Sequence, residues 1–104
     1  HSISNSRIYQ CHHRGIYFHG GQGTIENCSI FENGGEDEWP AIHISAKSNP
    51  TIKRCNITMN RGQGVYVERN GEGIVDGCDV SNNRRGAFYN ESGSKLIRRN
   101  NRRS

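Results

Sequence analysis

Four rings recur along this 104-residue chain: Tyr17, His43, Tyr66 and Phe88. Each stands in a short alternating run, within "GIYFHG", "AIHISA", "GVYVER" and "GAFYNE". In an extended strand, residues two apart share a face. The outward side therefore also carries His19, Ser45, Glu68 and Asn90. A row of rings can stack on sugar faces, anchor a protein partner, or simply stabilise a sheet as a cross-strand ladder. Polysaccharide hydrolysis or elimination asks for more. It needs paired carboxylates, or an acidic calcium site with a basic residue. Glu68 is the single carboxylate on this side, so the residues point to binding rather than catalysis, and no cofactor is implied.

One stretch adds to the row. Between Asn33 and Ala41 the segment "GGEDEWPA" brings Glu36, Asp37, Glu38 and the only tryptophan, Trp39, directly ahead of the strand with His43. Insertions of this kind are often loops on a binding face. The candidate binding residues are therefore Tyr17, His19, Trp39, His43, Tyr66, Glu68 and Phe88, with Glu36, Asp37 and Glu38 beside them.

A repeat must hold these rings in line. The segments "ISNSRIYQC" from Ile3, "IENCSIFEN" from Ile25, "IKRCNITMN" from Ile52 and "VDGCDVSNN" from Val75 share one pattern, and a further copy starts at Ile97. The pattern is a β-branched residue, two polar residues, a small residue, a second β-branched residue, and Asn or Cys at the ninth place. Each copy continues into a small residue, a short alternating strand and a Gly/Ser/Asn turn. A period of about 22 residues built from short strands and turns is the signature of a β-solenoid.

Stacking the copies produces columns. The apolar ones are Ile3/Ile25/Ile52/Val75/Ile97, Ile8/Ile30/Ile57/Val80, Ile16/Ile42/Val65/Ala87 and Phe18/Ile44/Val67/Tyr89. Columns of this kind fill a narrow interior with few residues, which reconciles a hydrophobic content of 31% with a folded chain. The fourth place reads Ser6/Cys28/Cys55/Cys78/Asn100 and the ninth Cys11/Asn33/Asn60/Asn83. Inward Asn at a tight turn bonds its own backbone and the Asn above it. An outward column, Glu26/Lys53/Asp76/Arg98, alternates in sign and favours the correct register.

The net charge is +4, and much of it lies late, with Arg98, Arg99, Arg102 and Arg103 in the last seven residues. That end is a weak candidate for anionic polymers. It lacks the basic–aromatic motif of a nucleic-acid binder. The four cysteines contain no C-x-x-C and form no metal motif. Stacked Cβ atoms that run parallel do not suit a disulfide. Free buried thiols are expected, which slightly favours an intracellular setting; the compartment is otherwise unknown. The sequons at Asn27, Asn56 and Asn90 are near chance in so Asn-rich a chain. No apolar run of about 18 residues is present, so no membrane partner is read.

The whole pattern, most clearly "SNPTIKRCNITMNRGQGVYVERNGEGIVDGCDV", resembles the right-handed parallel β-helix repeats of pectate-lyase-like proteins. It is especially similar to the carbohydrate-binding and sugar-hydrolase repeats found in F-box, Shc-binding and bacterial β-helix proteins. The resemblance implies an all-β, right-handed parallel β-helix of about four and a half coils, a single repeat domain over 1–104 and a piece of a longer chain. It leaves function open, because one fold carries many sites. The expected role is a non-catalytic module for protein interaction or scaffolding; the alternative is polysaccharide binding or processing on the aromatic face. Open solenoid ends also leave room for self-association.

Overall fold

The structure is a computed structural model that describes residues 2–103, with the backbone alone of Arg103. Every coil contributes strands in a fixed order. The first coil holds β1 (Ser2–Ser4), β2 (Arg7–Tyr9) and β3 (Ile16–Phe18). The second holds β4 (Gly21–Glu26), β5 (Ser29–Phe31) and β6 (Ile42–Ile44). The third holds β7 (Ser48–Lys53), β8 (Asn56–Thr58) and β9 (Val65–Val67). The fourth holds β10 (Glu72–Asp76), β11 (Asp79–Val80) and β12 (Phe88–Asn90), and β13 (Lys95–Arg99) and β14 (Arg102–Arg103) begin a fifth. Equivalent strands pair in parallel, which gives three sheets: β1-β4-β7-β10-β13, β2-β5-β8-β11-β14 and β3-β6-β9-β12.

The corners explain how so polar a chain closes its coils. Each corner needs one residue in the left-handed region, which few L-residues enter without strain. Between the first and second sheets these are Asn5, Asn27, Arg54, Gly77 and Asn100. Between the second and third sheets they are Gln10, Glu32, Met59 and Asn82. Gly20, Lys47, Asn70 and Gly93 turn the chain back toward the first sheet. Asn and Gly are the residues that take this conformation most readily, so the Asn- and Gly-rich composition follows from the number of corners.

Inside, Ile25, Ile30, Ile42, Ile44, Ile52, Ile57, Val65, Val67, Val75 and Val80 are buried to within 1% exposure. All belong to the second, third and fourth coils. The Asn column lies beside them, and its bonds run between coils rather than to each residue's own backbone. Asn60 Nδ2 donates to Ile30 O at 3.1 Å and to Asn83 Oδ1 at 2.8 Å, while Asn33 N–H donates to Asn60 Oδ1 at 3.1 Å. Asn33 and Asn83 repeat the pattern, and Cys11 N–H closes it by donating to Asn33 Oδ1 at 3.0 Å.

Two registers differ from the sequence reading. In the fourth coil Phe88 lies on Val65, Tyr89 on Tyr66 and Asn90 on Val67. Ala87 therefore occupies the small-residue column, Phe88 turns inward and Tyr89 turns out. The spacing from Asn83 to Phe88 equals that from Asn60 to Val65, so Phe88 takes the inward place that Val65 holds in the third coil. In the fifth coil Val75 lies on Arg98 and Ile74 on Ile97. Ile97 is therefore 53% exposed rather than in the core column. Arg99, not Arg98, completes the alternating charge column, with its guanidinium 3.8 Å from Asp76, and Lys53 stands 3.9 Å from Glu26. Asn101 rather than Asn100 extends the column of Cys28, Cys55 and Cys78, donating to Val75 O at 2.9 Å and accepting from Cys78 N–H at 2.9 Å.

Candidate functional site

The third sheet presents one ring per coil on its outer face. Parallel registers stack Tyr17 on His43, His43 on Tyr66 and Tyr66 on Tyr89. The ring centroids are 4.9, 4.9 and 5.0 Å apart, close to the ~4.8 Å spacing of neighbouring strands. Tyr66 and Tyr89 stack nearly parallel at 11°, while Tyr17 meets His43 edge-on at 67°. Tyr17 and Tyr89, at the two ends of the column, stay exposed, and His43 is buried between its neighbours.

A second column runs beside the rings, one residue beyond each strand: His19, Ser45, Glu68 and Glu91. The registers that move Phe88 inward also bring Glu91, not Asn90, to this place. His43 Nε2 lies 2.5 Å from Glu68 Oε2. Tyr66 Oη donates to Glu91 Oε2 at 2.5 Å, and Arg69 N–H donates to Glu91 Oε1 at 2.9 Å. His19 Nδ1 lies 3.3 Å from Tyr17 Oη. The face therefore carries two carboxylates on adjacent coils, where the sequence reading found one.

Arg14 ties the inserted loop to the rings. Its Nε donates to His43 Nδ1 at 2.7 Å. Its guanidinium also lies 4.6 Å from the Tyr17 ring centroid and 4.2 Å from that of Trp39. Because Nδ1 accepts from Arg14, a neutral His43 carries its proton on Nε2 and donates to Glu68. Burial pushes the His43 pKa below its ordinary 6.5; the Glu68 contact opposes that shift and the Arg14 charge reinforces it. Tyr66 is pushed up to about 12, first by its hydrogen bond to Glu91, then by burial. The same bond, with the Arg69 N–H, holds Glu91 below the usual carboxylate range.

The loop that carries Trp39 is held from below. Glu38 accepts from Arg85 at 2.8 Å and faces Arg84 at 3.6 Å, which spans from the second coil to the fourth. Gly62 lies directly under the loop, where a Cβ would collide with the carbonyls of Glu38 and Trp39. Glu36 and Asp37 point away to solvent, and Glu36 borders a groove at the corner of the second and third sheets with His12 and Arg61.

Of the residues singled out from sequence, Tyr17, His19, His43, Tyr66 and Glu68 form one continuous surface, and Trp39 joins it through Arg14. Phe88 does not. It is half-buried against the core with the Arg98 guanidinium 5.0 Å from its ring. Arg14, Tyr89 and Glu91 were missed. Counting five residues from Asn83, as from Asn60 to Val65, would have found the last two. The late arginines spread over different faces: Arg98 at the open end over Phe88, Arg99 on the first sheet beside Asp76, and Arg102 on the second sheet opposite Asp79. The Arg103 side chain lies outside the described residues.

Residues 1–102 match the family model described as right handed beta helix region. No solved structure matches the chain.

Proposed function

The chain belongs to the right-handed β-helix family, and from that premise we propose that it is a non-catalytic module that binds a protein partner through the outer face of its third sheet. One observation carries this reading: along Tyr17, His43, Tyr66 and Tyr89 the rings pack on one another at 4.9 to 5.0 Å. Sugar stacking needs free ring faces, and here most are covered by the next coil. What remains outward is a strip of ring edges and hydroxyls with Trp39 and Arg14 at one side. Trp, Tyr and Arg held rigidly at the centre of a patch are the residues that dominate protein interfaces.

The acids fit the same reading. A glycosidase acid needs its proton held at neutral pH. Glu91 is shifted the other way, and both Glu91 and Glu68 already accept hydrogen bonds from neighbours.

Polysaccharide binding is the second reading. It is favoured by the exposure of Tyr17 and Tyr89 on this face, at 44% and 49%. A glycan array separates the two. The protein reading predicts no selective retention by the folded chain. Selective retention that Trp39→Ala/Tyr66→Ala removes, with the circular dichroism unchanged, would overturn it in favour of carbohydrate.

A further inference from the structure

Cys28, Cys55 and Cys78 form a column that no binding function uses. All three are buried to within 2% exposure, and all are free thiols. They are also copies of one another. Each Sγ–H faces the carbonyl two residues back, Glu26, Lys53 and Asp76, at 3.3, 3.3 and 3.6 Å. Each also faces a carbonyl of the preceding coil, Ile3, Ile25 and Ile52, at 3.7, 3.7 and 3.6 Å. Sulfurs that face equivalent carbonyls on successive coils of a regular stack lie about one strand spacing apart, ~4.8 Å.

That spacing suits one kind of chemistry. It is far too long for a disulfide, whose sulfurs stand ~2.05 Å apart. A soft metal ion bonds thiolate at about 2.3 Å, so two collinear bonds span ~4.6 Å. Soft d10 ions favour this linear, two-thiolate arrangement, and thiolate is the ligand they select. Tetrahedral Zn²⁺ needs four ligands, and no third donor is at hand: among the described residues no group of three His, Cys, Asp or Glu converges.

We propose that Cys55 and Cys78 form a buried linear site for a soft d10 cation between the third and fourth coils. The Cys55 N–H donates to Cys78 Sγ at 3.5 Å, so this pair is already joined across the coils. On binding, two S–H bonds lose their protons to solvent and two metal–sulfur bonds form; no electron is transferred. A divalent ion gives a neutral product. A monovalent ion leaves one negative charge in a dry interior, which is costly, so Hg²⁺ should be held more tightly than Ag⁺ or Cu⁺.

The test uses the Cys11→Ser chain, which removes the one thiol that is not buried, incubated with Hg²⁺ alone until uptake is complete. Native mass spectrometry should show one ion per folded chain, and X-ray absorption should show two sulfurs at about 2.3 Å. Adding Cys55→Ser or Cys78→Ser should weaken retention by about tenfold or more, whereas Cys28→Ser should not. Serine stands at the equivalent place in the first coil, Ser6, so these variants suit the column. Zn²⁺ should not be retained. No uptake by the folded chain, a three-sulfur shell, or retention unchanged by Cys78→Ser would overturn the proposal. The X-ray absorption result on the Cys11→Ser chain stands even if a further variant fails to fold.

Discussion

Residues in this chain are chosen by coil position, and single substitutions should show it. Met59 sits in the left-handed region at φ 58°, 63% exposed, where the next coil has Asn82 at the same φ. Met59→Asn should raise stability by about 0.5–1 kcal/mol, because Asn tolerates that conformation better, and thermal denaturation checks it. Asn60 is the opposite case. Asn60→Ala would leave the Asn33 N–H without its partner inside the core and take one of the donors from the Ile30 carbonyl, at a cost of about 1–3 kcal/mol on a denaturant curve. His43 links residue chemistry to pH. Its folded pKa lies below its ordinary 6.5, so the unfolded chain binds more protons as pH falls through 6.5. The stability it contributes is complete above that pH and is lost below it. Melting temperature should fall with acid from about pH 6.5, and His43→Gln should flatten the upper part of that slope. The lowered carboxyl of Glu91 acts in the same direction at lower pH.

At the scale of strands and loops, the inserted segment is the element that builds the site. It passes over Gly62 with no room for a side chain. Gly62→Ala should lift the loop and separate Trp39 from Arg14. Trp39 is the only tryptophan, so its fluorescence should shift toward that of exposed indole while the coil signal in circular dichroism persists. Strands and columns were legible in the sequence wherever a β-branched residue marked the inward places. Ile42/Ile44 and Val65/Val67 left no ambiguity. The fourth coil gave no such mark, because "GAFYN" has no β-branched residue and its aromatics suit either face, so a one-residue slip exchanged Phe88 for Tyr89 and hid Glu91. The fifth coil slipped for the opposite reason. Ile97 looks like a core residue, but with only one side of its coil covered, the backbone register that places Asn101 on Cys78 decides the phase instead. Arg14 was invisible because it lies in a turn, and only the fold brings it beside residues 25 and 29 positions away.

Across the described residues the stack is sealed in its second, third and fourth coils and less buried in its first and fifth. Core residues of the second to fourth coils are sealed, whereas Ile3 is 37% and Ile97 53% exposed. Stability in a stack of this kind is the sum of coil and neighbour terms, so opening should proceed inward from both ends. Amide exchange in the 104-residue chain should be fastest in β1, β2, β13 and β14 and slowest in β6 and β9. Uniform protection would show that the coils open as one unit. The rings of the third sheet cross this gradient, with Tyr17 and Tyr89 exposed and His43 and Tyr66 on the sealed coils between them, so the strip proposed to bind a partner is anchored on the best-buried part of the stack. The most direct measurement of that strip is site-specific photo-crosslinking from position 89 of the chain in its native host. The account predicts a discrete protein adduct that is lost when Arg14→Ala or Trp39→Ala is added and the fold is retained. No adduct, or one that both substitutions leave untouched, would contradict a protein-binding face on the third sheet.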